Sequence, residues 1–182
     1  MCGFSGIFRW DSQPADKALL RRMTGQIVHR GPDDEGFFFT EPGQAVQAGL
    51  GFRRLSIIDL SGGHQPMSSA DGKCWIVFNG EIYNFLELRK DLETRGRKLA
   101  TKSDTEVILH LYDLHGAECV KYLRGMFAFA IWDARKQQIF MARDRAGKKP
   151  LYYARTNKAV YFASEMKSIL CVPEIKPDVR LE

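Results

Sequence analysis

Four apolar segments follow one another in the last third of the chain: "GMFAFAIWDA" (125–134), "QQIFMARD" (137–144), "PLYYAR" (150–155) and "AVYFAS" (159–164). Each is the length of a strand, and two are so apolar that both of their faces must be covered. A sheet covered on both sides needs at least three layers. Earlier strand-like runs, "CGFSGIFRW" (2–10), "EGFFFT" (35–40), "QAVQAGLGF" (44–52), "RRLSIIDL" (53–60) and "KCWIVFNG" (73–80), form a second group separated by Pro-Gly and Ser-Gly-Gly breaks.

Helical patterns lie between and before these runs. "DKALLRRMTGQIV" (16–28) places Leu19, Leu20, Met23 and Ile27 on one face before Gly31 and Pro32. "NFLELRKDLETRG" (84–96) starts on Asn84 as a cap, carries Glu87 in its first turn, aligns Leu88 with Leu92 and closes on Gly96. "SDTEVILHLYDLHG" (103–116) opens on a capping box of Ser103 with Glu106 and closes on Gly116. A short helix is expected at "EMKSIL" (165–170). Strands run in two groups and do not alternate with helices, which predicts an α+β domain of two packed, mostly antiparallel sheets covered by helices.

The 182 residues, 45% of them hydrophobic and 12% aromatic, suffice for one well-packed domain and not for two. The expected boundary lies at 172, with 173–182, "PEIKPDVRLE", read as a linker or tail. A net charge of +5 reads as a solvated basic surface, with no nucleic-acid partner expected. No run approaches the roughly 20 apolar residues of a membrane span and no signal peptide is evident, so a cytoplasmic protein without a membrane partner is expected. Cys2, Cys74, Cys119 and Cys171 are scattered without metal-site spacing, and Cys74 and Cys119 read as buried thiols.

Cys2 is the exception, because it opens the apolar run "CGFSGIF". With Met1 removed it would carry a thiol and a free α-amine, whose ordinary pKa of about 7.7 to 8.0 suits a general base at neutral pH. Nucleophile and base would then be one residue, with Gly3 and Gly6 allowing close backbone approach. Asn79 and Gly80, ending an apolar strand, could supply an amide and a backbone N–H to an oxyanion. Arg54 could hold a carboxylate in bidentate fashion, and Asp104 could face an ammonium. Each has a plainer reading: a small residue at a strand start for Cys2, a hairpin turn for Asn79-Gly80, a helix-start acid for Asp104 and surface charge for the arginines, preferred for Arg53. Together they are the parts for hydrolysing a side-chain amide.

The segments "MCGFSGIF", "HRGPDDEG", "RRLSIIDLSGGHQPM", "FNGEIYNF", "SDTEVILHLY", "LRGMFAFAIWD" and "ARDRAGKKPLYYA" closely resemble, in order and over nearly the whole chain, the N-terminal glutaminase domain of glutamine-dependent asparagine synthetases. These are class II glutamine amidotransferases with an N-terminal nucleophile hydrolase fold, a four-layer αββα sandwich. The resemblance implies Cys2 as nucleophile and base, and Asn79 and Gly80 as the oxyanion hole. It implies Arg54 on the glutamine α-carboxylate, with Leu55, Ser56, Ile57 and Ile58 lining the pocket and Glu81 and Asp104 on the α-ammonium. It further implies L-glutamine as substrate, a C-terminal synthetase domain as partner, and a homodimer as one assembly.

No metal or cofactor is expected in this domain. In the resembled family ATP and Mg belong to the synthetase domain, and "SGGHQP" lacks the Asp-Ser of its pyrophosphate loop. "FRRLS" has Phe52 where relatives often have His, and "GKKPLYY" has a second lysine where many are apolar; neither receives a catalytic role. The "GKKPLYY" form is similar to relatives that amidate cell-envelope or polysaccharide precursors, which leaves the acceptor open. Two other classes compete: a regulatory module that binds glutamine without turnover, and a papain-like hydrolase using His29, His64, His110 or His115.

Overall fold

The computed structural model describes residues 2–55 and 63–178. Strand β1 (Gly3–Arg9) leads into helix α1 (Lys17–Gly25), followed by β2 (Asp34–Phe39) and β3 (Gln47–Arg54). A two-residue strand β4 (Met67–Ser68) precedes β5 (Cys74–Ile82), α2 (Phe85–Thr94) and α3 (Asp104–His115). Strands β6 (Gly125–Asp133), β7 (Gln138–Arg143), β8 (Tyr152–Arg155) and β9 (Ala159–Ala163) come next, and then α4 (Met166–Ile169). They assemble into one sheet in the order β2-β3-β1-β9-β8 and another in the order β4-β5-β6-β7, with every pairing antiparallel.

Three apolar layers hold four structural layers together. The central one joins the inner faces of the sheets, where Phe4, Leu50, Phe52 and Phe162 meet Val77, Ala128, Ala130 and Trp132. Outside the first sheet, Ile7 and Tyr161 pack on Leu19, Leu20 and Met23 of α1. Outside the second, Ile76, Phe78 and Ile131 pack on Leu92 of α2 and on Val107, Ile108 and Leu111 of α3. The architecture is therefore the expected αββα sandwich. Of the last four strands, the two buried on both faces are β6, closed from Phe127 to Asp133, and β9, in which only Val160 is partly exposed.

Three local expectations change. Asn84 does not cap α2; its amide accepts from Arg124 N–H at 3.0 Å and donates to the Tyr122 carbonyl at 3.0 Å, tying the helix start to the approach to β6. Ser103 caps α3 through Thr105 N–H at 3.1 Å, but Glu106 does not complete the box. Its carboxylate instead accepts from the N–H groups of Ala100 and Thr101, because the chain entering α3 folds back over the first turn. Arg53 and Arg54 are the end of β3 and not the start of a separate strand; residues 56–60 of the expected "RRLSIIDL" strand lie outside the described residues. Among the described residues no helix is long and apolar enough to cross a membrane.

Candidate active site

Cys2 lies one residue before β1. The ladder pairs Gly3 with Arg53, so one further step in the same register sets Cys2 opposite Arg54. Side chains alternate across a strand. Phe4 and Phe52 point into the central layer, and Cys2 and Arg54, two residues from each, continue that inner face to the end of the sandwich. Leu55 N–H donates to the Cys2 sulfur at 3.5 Å, and the thiol in turn reaches the Leu55 carbonyl at 3.9 Å. Arg53, on the outer face, pairs with Glu35 at 2.6 Å, in keeping with its surface reading.

The backbone of Cys2 is held by a residue that sequence reasoning missed. Arg30 Nε donates to the Cys2 carbonyl at 3.0 Å, and its Nη1 binds Glu165 at 2.9 Å. Gly3 makes this possible, since a Cβ there would lie 2.9 Å from Arg30 Cδ. Burial alone would raise the Glu165 carboxyl, but hydrogen bonds from Arg30, His29 and Lys167 outweigh it and bring the pKa down to about 2. The only sequence signal for Arg30 is its place in "HRGPDDEG". That segment packs on the Arg54 strand: Asp33 N–H donates to the Arg54 carbonyl at 3.1 Å, and a Cβ on Gly31 would meet Arg53 backbone at 2.4 Å.

Asn79 and Gly80 face Cys2 from the second sheet. They form no turn, being interior to β5, which runs on to Ile82. Asn79 shares the inner face with Val77, is 2% exposed, and its Nδ2 has no hydrogen-bond partner among the described residues. Such a buried donor is costly unless something accepts from it.

The direction of the Gly80 N–H follows from its neighbours. Phe127, opposite Gly80, turns its own N–H and carbonyl away from β5 toward Asp144. Gly80 and Phe127 are thus a non-hydrogen-bonded pair, and the Gly80 N–H points to the other edge of β5. Phe78 and Ile82 point the same way, and side chains take them up: Gln65 at Phe78 and Asp104 Oδ2 at Ile82 N–H, 3.1 Å. The close approach of a non-hydrogen-bonded pair also explains the glycine, because a Cβ at Gly80 would lie 2.3 Å from the Met126 carbonyl oxygen.

Asp104, the first residue of α3, is mostly buried. Burial raises its carboxyl above the ordinary range, opposed by hydrogen bonds from the N–H groups of Ile82 and Thr105 and reinforced by nearby Glu81. Glu81 follows Asn79 along the same face of β5 and is exposed. All these groups line one cavity of about 580 Å³: Cys2, Arg54, Leu55, Asn79, Gly80, Glu81 and Asp104, with Phe52, Gln65 and Lys149 completing its walls. Of the expected pocket residues, Ser56, Ile57 and Ile58 lie outside the described residues.

Lys149, of the double lysine in "GKKPLYY" that received no catalytic role, also belongs to the site wall. It is buried in the cavity wall, its N–H held by Asp144 at 3.0 Å and its carbonyl by Arg143 at 2.7 Å. Phe52, without an assigned role, is a buried wall residue. No histidine is among the described lining residues; His29 binds Glu165, His64 binds Asp34 and His115 stacks on Tyr122. Cys74 and Cys119 are buried as expected, and burial pushes the Cys119 thiol up to about 12. A smaller cavity of about 340 Å³ outside α3 is lined by His110 and by none of the groups around Cys2; its Arg97 and Arg135 both pair with its Asp113.

A cysteine thiol, an amide without a partner among the described residues, a guanidinium and two carboxylates thus lie together at one end of the sandwich. A family model described as "Glutamine amidotransferase domain" matches residues 1–182. The chain belongs to the glutamine amidotransferase family. This amidotransferase domain is 50% identical over 173 residues to glutamine-hydrolysing asparagine synthetase 1 of Bacillus subtilis (strain 168), covering 93% of this chain and 27% of that protein. It is 37% identical over 174 residues to the corresponding synthetase 1 of Saccharomyces cerevisiae, covering 93% of this chain and 29% of that one. The chain thus spans about a quarter to a third of the curated relatives it matches. Its fold is that of the glutamine phosphoribosylpyrophosphate amidotransferase of B. subtilis, with a TM-score of 0.75 at 22% identity over 93% of this chain and 43% of that one. The N-terminal nucleophile hydrolase architecture expected from the sequence is the one found.

Proposed function

We propose that this amidotransferase domain hydrolyses L-glutamine to glutamate and ammonia, and that the ammonia serves an ATP-dependent synthetase domain in a longer protein, with aspartate as acceptor. The observation that carries this reading is the Asn79 amide, buried without an acceptor among the described residues in the wall that faces Cys2. Arg54 takes the α-carboxylate of the substrate. Asp104 and Glu81 take its α-ammonium, so the side-chain amide reaches the thiol.

With Met1 removed, the Cys2 amine accepts the thiol proton as the sulfur bonds to the amide carbon. The oxygen of the tetrahedral intermediate lies between Asn79 Nδ2 and Gly80 N–H. The ammonium form of the amine returns its proton to the departing nitrogen, ammonia leaves, and a γ-glutamyl thioester remains. Water, deprotonated by the same amine, cleaves the thioester to glutamate and the free thiol.

This hydrolysis calls for no metal or cofactor, ATP and Mg belonging to the synthetase domain. Residues 173–182 form the linker toward that domain, and the protein works in the cytoplasm. The similarity to asparagine synthetases supports the acceptor and the partner domain.

The test is an intact mass spectrum before and after incubation with 6-diazo-5-oxo-L-norleucine, a glutamine analogue that alkylates such nucleophiles. Loss of Met1 and one adduct mapped to Cys2 is expected. Processed protein without an adduct overturns the assignment.

A further inference from the structure

The geometry points to Gln65 as a positioning residue for the oxyanion site, an inference that rests on the hydrolytic reading above. The β4–β5 ladder pairs Met67 with Ile76 and Ser68 with Trp75. Continued in the same register, residue 65 would stand opposite Phe78 and residue 63 opposite Gly80. A ladder of that length would consume the Gly80 N–H. It stops at Met67, and the cavity occupies the place of the missing strand, with Gly63 and Gln65 in its wall.

The Gln65 side chain closes the edge where the backbone has left it. Its Oε1 accepts from Phe78 N–H at 2.6 Å, and its Nε2 donates to the Phe78 carbonyl at 3.2 Å and approaches Thr105 Oγ1 at 3.4 Å. A primary amide carries a donor and an acceptor side by side, as a peptide group does, so one side chain can stand in for one residue of a strand. Gln65 is 6% exposed, and its carbonyl packs so closely on β2 that a Cβ on Gly36 would lie 1.9 Å away. Anchored from the first sheet, it fixes the edge of the second. Gln65 at Phe78 and Asp104 at Ile82 clamp one edge of β5, and the Gly80 N–H is directed to that same edge between them.

An oxyanion forms only during reaction, so loosening this clamp lowers kcat and leaves ground-state binding nearly untouched. The test compares Gln65→Met and Gln65→Glu with the parent chain, all with Met1 removed, by steady-state glutamine hydrolysis and by glutamate affinity. For Gln65→Met, kcat is expected to fall about 10-fold or more, with KM and glutamate Kd within about threefold. In Gln65→Glu the ionised carboxylate accepts from Phe78 N–H but cannot donate to its carbonyl, whereas the protonated form does both. The kcat of Gln65→Glu relative to the parent should therefore rise as pH falls, starting above the ordinary glutamate range because burial raises the pKa of the introduced carboxyl. That ratio decides the matter if Gln65→Met does not fold. A kcat within about twofold for Gln65→Met, or a ratio flat with pH for Gln65→Glu, overturns the inference. A processed parent chain that hydrolyses no glutamine overturns the hydrolytic reading, and this one with it.

Discussion

Replacing Asn79 by alanine separates a functional amide from a structural one, because the two predict opposite changes in stability. In the structure the Asn79 Nδ2 is buried and without a partner among the described residues. An unmet buried donor costs about 1–3 kcal/mol. Alanine removes that cost and leaves a void for three heavy atoms, worth about 1 kcal/mol at ~24 cal/mol per Å³. The net effect is between about zero and 2 kcal/mol of added stability, or a Tm higher by up to about 6 °C for a chain of this size. Activity moves the other way. Loss of one oxyanion donor lowers kcat about 10²- to 10³-fold, with little change in KM. Thermal melts and steady-state glutaminase kinetics on the same preparation test both halves. A variant destabilised by more than about 2 kcal/mol, or one that keeps kcat within about threefold, would refute the reasoning, since the amide would then have a structural partner or no catalytic one.

Three further outcomes follow from the same geometry. Gly80→Ala drives a Cβ against the Met126 carbonyl and Phe127 Cα, so β5 must part from β6 at a cost of about 1–3 kcal/mol, read by urea unfolding; unchanged stability would deny the tight pairing. Arg30→Lys keeps a cation for Glu165 but loses the planar fork that also reaches the Cys2 carbonyl, and should lower kcat about 10-fold at constant KM. A rise in KM instead would place Arg30 on the substrate. Asp104→Asn keeps an acceptor for Ile82 N–H but removes the charge, so KM for glutamine should rise about 10-fold or more. Because burial raises the Asp104 carboxyl, the folded chain holds its proton more tightly than the unfolded chain does. The contribution of this carboxyl to stability is full below the unfolded pKa and is lost as pH rises through the folded one. Asp104→Asn should accordingly match the parent near pH 3 and exceed it at pH 7 in thermal melts.

The strands and the layers were legible because their signals are local. Phe4, Phe52 and Val77 alternate with outward residues at period two, and the runs of β6 and β9 need cover on both faces. The Asn84 cap and the Glu106 half of the capping box fail where other backbone groups take the side chain: Arg124 and Tyr122, distant in sequence, for Asn84, and the chain just before α3 at Ala100 and Thr101 for Glu106. Arg30 and Gln65 carry no signal of their own in the sequence for a similar reason. Arg30 acts on Cys2 and Gln65 on Phe78, each through a contact beyond its own segment, and no short pattern marks a residue whose partner lies elsewhere. The hairpin alternative for Asn79-Gly80 fails on tertiary grounds, since β6 pairs with β5 straight through it.

One regularity does connect the local pattern to the site. On β1 the inner face reads Phe8, Phe4 and then Cys2; on β3 it reads Leu50, Phe52 and then Arg54; on β5 it reads Val77, then Asn79 and Glu81. In each strand the apolar face gives way to polar residues toward the site, with Gly6, between Phe8 and Phe4, carrying no side chain. The antiparallel registers bring these three changes to the same end of the sandwich. There the two sheets no longer meet through side chains, and the cavity opens between them. A hydrophobic core must end somewhere, and where it ends at solvent any polar residue would serve. Here Asn79 is 2% exposed and Arg54 9%, so these polar ends are enclosed and not solvated. Burying the Asn79 amide with its Nδ2 unpartnered among the described residues costs stability that packing alone would not demand, which marks this end of the fold as built to receive a polar ligand.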